Sequence, residues 1–317
     1  MVLSVTLNPA LDQTIRVDGI QPHDTNRVLS MATDAGGKGI NLSRIVAELG
    51  GETVATGFLG GQTGDFIRRV IQRQGVRDEF LTVQGETRTN FNVESGDGPP
   101  TTFNARGAEV TAEEWHRFVA HFTGLCTGAD WVALGGSLPP GLRPEVFAML
   151  GTIAKQAGAR LVLDADGEAM RAGMASHPDF IKPNVKEAER LLQRPLAGNR
   201  DAIARAARDL FDLLASGNLA DPAVVISRGA EGAVLCCRQG LFEAEPIAIQ
   251  ARSTIGSGDS LIGGMLYALG RGHVWPEALQ WGNAAGAATA MTDGSEIGRK
   301  NVIAELIEKS KVSKLNK

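Results

Sequence analysis

From about residue 130 onward, short apolar runs alternate with longer amphipathic stretches, and this alternation restricts the fold more than any other feature of the chain. Strand-like runs are Trp131–Leu134, Arg160–Asp164, Asp179–Lys182 and Ala223–Ser227. Helical spacing of apolar residues separates or follows them at Pro144–Gln156, Val185–Leu192 and Arg200–Leu214. Another β stretch starts at Ala233–Cys237, and three helices follow near 258–270, 275–290 and 300–310. Strands joined by helices of this length pair in parallel through right-handed crossovers. The pattern therefore predicts an α/β fold with a doubly wound, mostly parallel sheet flanked by helices. Ligands of such folds sit beyond the carboxyl ends of the strands. The Lys-rich end, Glu308–Lys317, reads as a frayed tail.

The N-terminal third is different. Val2–Leu7 is a short apolar strand, and Gln13–Val17 alternates with Ile15 and Val17 on one side. In Arg88–Glu94, Thr89, Phe91 and Val93 share a face opposite Arg88, Asn90 and Asn92, and Thr101–Asn104 pairs with it across the turn-rich Ser95–Pro100. Such alternation predicts a small, half-exposed sheet. Helical patterns lie between: Ile40–Leu49 stops at Gly50-Gly51, and Asp65–Gln74 stops at Gly75. Thr111-Ala-Glu-Glu114 fits a capping box that opens a helix bearing Trp115, Phe118 and Phe122.

Composition removes several classes of function. With 36 acidic and 32 basic residues among 317, the formal charge of -4 gives no electrostatic reason to bind nucleic acid. No window is apolar over about 18 residues, so no membrane span is predicted. The opening MVLSVTLNPALD lacks a basic stretch before a long apolar run, so it is not a signal peptide. Cys126, Cys236 and Cys237 have no C-x-x-C spacing and read as buried thiols in a reducing, cytoplasmic compartment. The scattered His residues suggest no metal site. Few aromatics and many glycines suit an enzyme whose backbone turns closely around small ligands.

Certain segments carry chemistry. Ser253-Thr-Ile-Gly-Ser-Gly-Asp-Ser260 ends a β region and opens an apolar helix. Gly256 and Gly258 let backbone N–H groups converge on an anion, to which the helix N-terminus adds partial positive charge. Asp259 then lies in the first turn, where a carboxylate can take a proton from a hydroxyl attacking a phosphoryl group. Alone, the segment also fits a Gly-rich turn before a helix. In Asp34-Ala-Gly-Gly-Lys-Gly-Ile-Asn41, Lys38 supplies a cation and Asn41 an amide for hydroxyls or phosphate oxygens; a plain strand-to-helix turn explains it too. Lys182-Pro-Asn-Val-Lys-Glu187 projects Asn184 and Glu187 from one side of a first helical turn, suited to hydrated Mg²⁺ or to the helix dipole. Ser227-Arg-Gly-Ala-Glu-Gly232 suits nucleotide phosphates or a hairpin turn.

Rival motifs fail. A Walker A loop needs Gly-Lys followed by Ser or Thr, but Gly39 follows Lys38 and Ala32 stands where its first Gly belongs. After Gly256-Ser-Gly258 the next Gly comes only at 263, which breaks the dinucleotide fingerprint. Protein-kinase HRD and DFG signatures are absent.

These segments, together with Thr6-Leu-Asn-Pro-Ala-Leu-Asp12, Gly57-Phe-Leu-Gly-Gly61 and Gly136-Ser-Leu-Pro-Pro-Gly141, resemble in order and over nearly the whole chain the ribokinase-like (PfkB) carbohydrate kinase family. The opening, the Lys of Gly36-Gly-Lys-Gly-Ile-Asn41 and Gly85-Glu-Thr-Arg88 are similar to its branch of 1-phosphofructokinases and tagatose-6-phosphate kinases. The minor 6-phosphofructokinase branch usually carries Gly in the place of Lys38. Two departures stand out: Ser257 replaces the usual Ala, and Arg228 stands where Leu is common.

The resemblance implies one ribokinase-like domain over 1–317, with a β-sheet lid from about 12–34 and 88–105. It implies that Asp259 is the catalytic base and that amides of Gly256, Ser257 and Gly258 form an anion hole. Asp12, Gly37 and Asn41 would bind sugar hydroxyls. Lys38 and Arg88 would hold the substrate phosphate, helped by Arg27 from the lid. Lys182, Asn184, Ser227, Gly229, Glu231, Gly232, Thr254, Gly256 and Gly258 would line ATP, with Asn283 near the adenine. Glu187 and Asn184 would organise Mg²⁺ through water. The implied reaction is ATP-dependent phosphorylation of fructose 1-phosphate at C6, with tagatose 6-phosphate or fructose 6-phosphate at C1 as alternatives. A non-catalytic sugar-phosphate-binding module would lack the base, and Asp259 is present. Exposed apolar faces on the lid strands suit pairing with a second copy.

Overall fold

The computed structural model describes residues 1–96, 100–196, 199–217 and 219–315. A large sheet and a small one organise the chain. It opens with β1 (Val2–Thr6), β2 (Ala10–Val17) and β3 (Val28–Gly36), then α1 (Lys38–Glu48), β4 (Thr53–Leu59) and α2 (Gly61–Arg73). Two short strands, β5 (Arg77–Asp78) and β6 (Leu81–Thr82), lead to β7 (Arg88–Ser95) and β8 (Thr101–Phe103). The alternating part holds α3 (Ala112–Cys126), β9 (Trp131–Gly135), α4 (Val146–Gln156), β10 (Arg160–Asp164), α5 (Gly167–Gly173), β11 (Phe180–Ile181), α6 (Val185–Leu192), α7 (Arg200–Ala215) and β12 (Ala223–Ser227). The hairpin β13 (Ala233–Cys237) and β14 (Gly240–Ala244) comes next. It is followed by α8 (Ser257–Leu269), α9 (Trp275–Ala290), α10 (Lys300–Lys309) and β15 (Val312–Lys314).

The large sheet runs β15-β14-β13-β12-β11-β10-β9-β1-β4-β5, with β6 also on β4. It is parallel from β12 to β5 and antiparallel from β12 to β15, the mostly parallel sheet that the strand–helix alternation predicts. Every residue of β1, β4 and β9 is buried, as expected of strands covered on both faces. Alternation sends Leu3, Val5, Val132, Leu134, Leu161 and Leu163 to one face, where Phe118, Phe122, Phe147 and Leu150 cover them. Val2, Trp131, Ala133, Val162 and Phe180 go to the other face, beneath Leu261, Met265, Trp275 and Leu279. The capping box at Thr111 forms as read: Thr111 Oγ1 accepts from the Glu114 amide at 3.2 Å, and Glu114 Oε2 accepts from the Thr111 amide at 2.9 Å.

The small sheet has the order β3-β2-β7-β8. One face turns Asp12, Asp34 and Asn90 toward the body, and the outer face of β2, β3, β7 and β8 carries Ile15, Met31, Phe91 and Phe103. The turn Ser95–Pro100 falls partly on residues 97–99, outside the described residues.

Two readings change. Glu308–Lys317 is not a frayed tail over its described length: α10 continues to Lys309, and β15 pairs with β14. The strand edge of β14 offers backbone partners to any chain that reaches it, and Val312 packs on the core while the lysines face out. The strand β4 went unread because Thr53, Thr56 and Gly57 interrupt its apolar run.

Helices α8 and α9 pack at glycine contacts that set the depth of α8 and its N-terminus. A Cβ on Gly282 would lie 2.6 Å from the Leu261 carbonyl oxygen, and one on Gly264 would lie 2.8 Å from that of Trp281. Gly282→Val is expected to destabilise the fold by about 1–3 kcal/mol through overpacking. Urea unfolding should show a lower midpoint at an unchanged slope; an unchanged midpoint would mean that the helices can part freely.

Candidate active site

The amino end of α8 lies among the carboxyl ends of the parallel strands. Gly256 takes the left-handed conformation (φ 74°) that turns the chain into the helix, and no side chain caps it. The first amides of α8 therefore lack intrahelical partners and carry the positive end of the dipole. Ser257 Oγ and Asn41 Oδ1 are buried without a hydrogen-bond partner among the described residues. Asn41 Nδ2, on α1, donates to Asp259 Oδ2 at 2.9 Å and fixes that carboxylate in the first turn.

Asp164 ends β10 and is buried between two cations. Its carboxylate lies 3.2 Å from Lys38 Nζ and 3.6 Å from Lys182 Nζ. Lys38 also reaches to 4.0 Å from Glu187 Oε1, and a Cβ on Gly258 would stand 3.2 Å from Lys182 Nζ. Lys38, Asp164 and Asp259 border one small cavity. Burial alone would push Asp164 up, but Lys182 and Lys38 hold it below the usual carboxylate range. Burial opposes the Lys38 charge, and Asp164, Asp259 and Glu187 overcome it and raise that ammonium. Asp259 goes the other way. Desolvation and then the Asp164 charge push it from 3.8 to about 6, against the pull of Lys38, Asn41 and Lys182. Two neighbouring carboxylates thus differ in proton affinity, one a fixed anion and one a base poised near neutrality.

On the small sheet, Asp12 is buried, and its Oδ1 accepts from Asn90 Nδ2 at 3.0 Å. A Cβ on Gly36 would fall 2.1 Å from Asp12 Oδ2, so only glycine fits beside this carboxylate. Arg88 spends its donors on the carbonyls of Asn8, Pro9 and Ala105 and on Ser137 Oγ, at 2.7–3.4 Å. Lys38 stands with Asp164 and Glu187, and Arg88 clasps the base of the small sheet. Gly37 holds φ 132° against Thr6 at the start of α1. Arg27 is exposed just before β3.

The pfkB family carbohydrate kinase model matches residues 5–300. The chain belongs to that family. It is 31% identical over 313 residues to a 1-phosphofructokinase of Haemophilus influenzae, covering 98% of each chain. It is 36% identical over 301 residues to a 1-phosphofructokinase of Rhodobacter capsulatus, covering 94% of this chain and 91% of the relative. Among solved structures, phosphofructokinase-2 from Escherichia coli in complex with substrates and products superposes with a TM-score of 0.90 at 28% identity, covering 97% of this chain and 98% of that one.

In this carbohydrate kinase, the segment expected to line the nucleotide forms the turn between β12 and β13. Ser227 bridges Asn184, and Gly229 and Gly232 take positive φ around the exposed Glu231. Arg228 turns aside to Glu243, at 2.7 Å. Thr254 is exposed before α8. Asn283 is buried on α9, its Nδ2 donating to the Glu245 carbonyl at 3.0 Å and to Ser310 Oγ at 3.2 Å. Asn184 and Glu187 form a reciprocal capping box on α6: Glu187 Oε2 accepts from the Asn184 amide at 2.8 Å, and Asn184 Oδ1 from the Glu187 amide at 2.9 Å. That leaves Glu187 Oε1 turned toward Lys38. Among the described residues no three acidic, His or Cys side chains gather as a metal cage. Glu187 Oε1, which the capping box does not engage, is a carboxylate oxygen of the kind that fits a hydrated Mg²⁺ held through its waters. Reading the sequence missed Asp164, although an acid ending a core strand at the ligand-bearing edge was the available signal. It also missed Asn90.

Asp259 ties stability to pH. Folded, it keeps its proton up to about pH 6; unfolded, it releases it near 3.8. In that window the folded state binds the extra proton, so stability falls as pH rises and the penalty is complete above it. Asp259→Asn is expected to be more stable than the parent at pH 7.5, with the advantage shrinking toward pH 4. Urea titrations at both pH values would contradict this if the gap were the same at each.

Proposed function

We propose that the chain is a cytoplasmic 1-phosphofructokinase that converts fructose 1-phosphate and ATP to fructose 1,6-bisphosphate and ADP. One observation carries the chemistry: a raised carboxylate, Asp259, in the first turn of a helix whose uncapped amides face the same space. The choice of sugar is supported by the names of the curated relatives and by the Thr6–Asp12 and Gly36–Asn41 segments.

Asp259 takes the proton of the C6 hydroxyl as its oxygen bonds to the γ-phosphorus, and the β–γ bridging oxygen leaves with ADP. Amides of Gly256, Ser257 and Gly258 accept the charge of the moving phosphoryl. Lys38 and Lys182, anchored by Asp164, supply positive charge beside it. Asp12 and Asn41 orient sugar hydroxyls, with Gly37 allowing close approach, and Arg88 with Arg27 meets the acceptor's phosphate. ATP lies along Lys182, Asn184, Ser227, Gly229, Glu231, Gly232 and Thr254, with Asn283 toward the adenine end. Mg²⁺ carried in with ATP would be held through water by Glu187 and Asn184, and would lower the charge of the phosphates. Residues 1–317 act as one kinase domain, and the small sheet is its lid, closing over the sugar to exclude water.

A coupled ADP-release assay on fructose 1-phosphate, tagatose 6-phosphate and fructose 6-phosphate tests the substrate; the highest kcat/KM is expected for the first, and a preference for either of the others refutes the assignment. Asp259→Ala should lower kcat roughly 10²–10⁴-fold with acceptor binding largely kept. The parent rate should fall below pH about 6, where Asp259 becomes protonated. A loss under tenfold would remove the base from the mechanism.

The outer face of the lid supports a homodimer. Phe91 stands opposite Phe103 and Ile15 opposite Met31, and Val28, Leu29, Met31, Phe91 and Phe103 are all exposed. A contiguous apolar sheet face of this kind is covered most simply by its own copy. Sedimentation should show a dimer that Phe91→Asp with Phe103→Asp dissociates; a monomeric parent chain excludes it.

A further inference from the structure

Arg44 projects from α1 into the seam between the small sheet and the body, and its side chain is only 2% exposed. A guanidinium at such a place is costly unless its donors are answered. Nη2 meets the Asp34 carboxylate at 3.0 Å, and Nη1 donates to the Ala35 carbonyl at 2.9 Å and to the Ser295 carbonyl at 3.2 Å. Nε donates to Gln74 Oε1 at 2.7 Å. One side chain thus ties β3, the α9–α10 connection and the end of α2 to the helix that bears Lys38 and Asn41. Those three residues recur at three-residue intervals along α1, so they occupy neighbouring places on its surface.

Asp34 also pairs directly with Asp12 across β2 and β3, so two carboxylates stand side by side on the inner face of the small sheet. Both border, with Arg44, a cavity of about 130 Å³ that Asp293, Glu296 and Arg299 also line. Arg88 is the other cation acting on Asp12. Burial and the Asp34 charge favour the protonated form of Asp12, while the Asn90 bond, Arg88 and Arg44 oppose them. A neutral Asp12 would lose one acceptor for sugar hydroxyls.

We propose that Arg44 is a positioning residue acting through Asp34: it fixes β3 against the body and keeps the neighbouring Asp12 an anion that can accept hydrogen bonds from the acceptor sugar. This rests on the assignment of Asp12 to the sugar. It adds a residue that touches no reactant yet sets the charge of one that does.

Carboxyl ¹³C labelling of Asp side chains, with the Asp12 resonance identified by its loss in Asp12→Asn, follows this titration directly. Arg44→Gln is expected to raise the Asp12 midpoint, and Asp34→Asn to lower it. The double variant should return toward the parent value. In Arg44→Gln, KM for the acceptor should rise several-fold more than KM for ATP, with the gap narrowing as pH rises. A purely structural arginine would leave the midpoint in place or move it the same way in both single variants, and either result overturns the proposal. Should Arg44→Gln fold poorly, Asp34→Asn keeps an acceptor for the guanidinium and decides alone: a midpoint that stays or rises refutes the role. The titration reads no turnover. A chain that shifts as described but phosphorylates no hexose phosphate would sink the functional reading and keep only the coupling of Arg44 and Asp34 to the charge of Asp12.

Discussion

The ion cluster around Asp164 is the constraint on which the rest of the site depends. Two lysines brought together in a buried place would repel one another and shed a proton, and a lone carboxylate there would hold its own. Asp164 between Lys38 and Lys182 balances the charges: its anion favours the Lys38 ammonium, and Lys182 Nζ lies 3.6 Å from the same carboxylate beside the amino end of α8. The same anion acts on Asp259 in the opposite sense, raising its affinity for a proton. In the proposed mechanism, one carboxylate would thus serve both halves of a phosphoryl transfer, the positive field for the migrating group and the basicity that activates the acceptor. A chain of net charge -4 can bind anionic reactants because the needed charge is local.

Helix α1 is the mechanical counterpart of that cluster. Lys38 enters the ion cluster, Asn41 holds the Asp259 carboxylate, and Arg44 seizes β3, all within two turns. Arg44 thus joins α1 to β3, which carries Asp34 opposite Asp12. Glycine at 36, 37 and 39 makes this junction possible: at each, a Cβ would meet Asp12 or Thr6 at 2.1–2.7 Å. The Gly-rich turn thus serves packing between sheet and helix as well as any ligand.

Much of this was legible in the sequence, for reasons that differ by element. Ala223–Ser227, Arg160–Asp164 and Val185–Leu192 were read with their observed bounds because each pairs an uninterrupted periodic pattern with a clear stop. Strand β4 was not, because Thr and Gly in a buried parallel strand satisfy no local pattern and its neighbours β1, β5 and β6 define it. The tail failed similarly: nothing in a Lys-rich segment announces that an open strand edge awaits it. In the site, Asp259 and Asn41 were legible from motifs, and the structure joins them by a hydrogen bond. Asp164 and Asn90 act through partners distant in sequence, and Arg44 through Asp34 and Ala35 on a neighbouring strand as well as Ser295 and Gln74, so spacing along one helix does not reveal these contacts.

The capping box at Asn184 and Glu187 shows why functional and structural readings of a segment need not compete. The box engages Asn184 Oδ1 and Glu187 Oε2, yet by stiffening the first turn of α6 it leaves Glu187 Oε1 in one place, facing Lys38. A carboxylate on a free rotamer would lose entropy on meeting a hydrated cation, and this one has already lost it on folding. The amino end of α8 is the converse case. There the cap is withheld, Ser257 Oγ has no partner among the described residues, and the desolvated Asp259 is itself unfavourable to the fold at neutral pH. Capping thus stabilises the helix proposed to hold a ligand indirectly and is withheld at the helix proposed to meet the reacting group, the distribution expected where preorganised but unsatisfied polar groups do the chemistry.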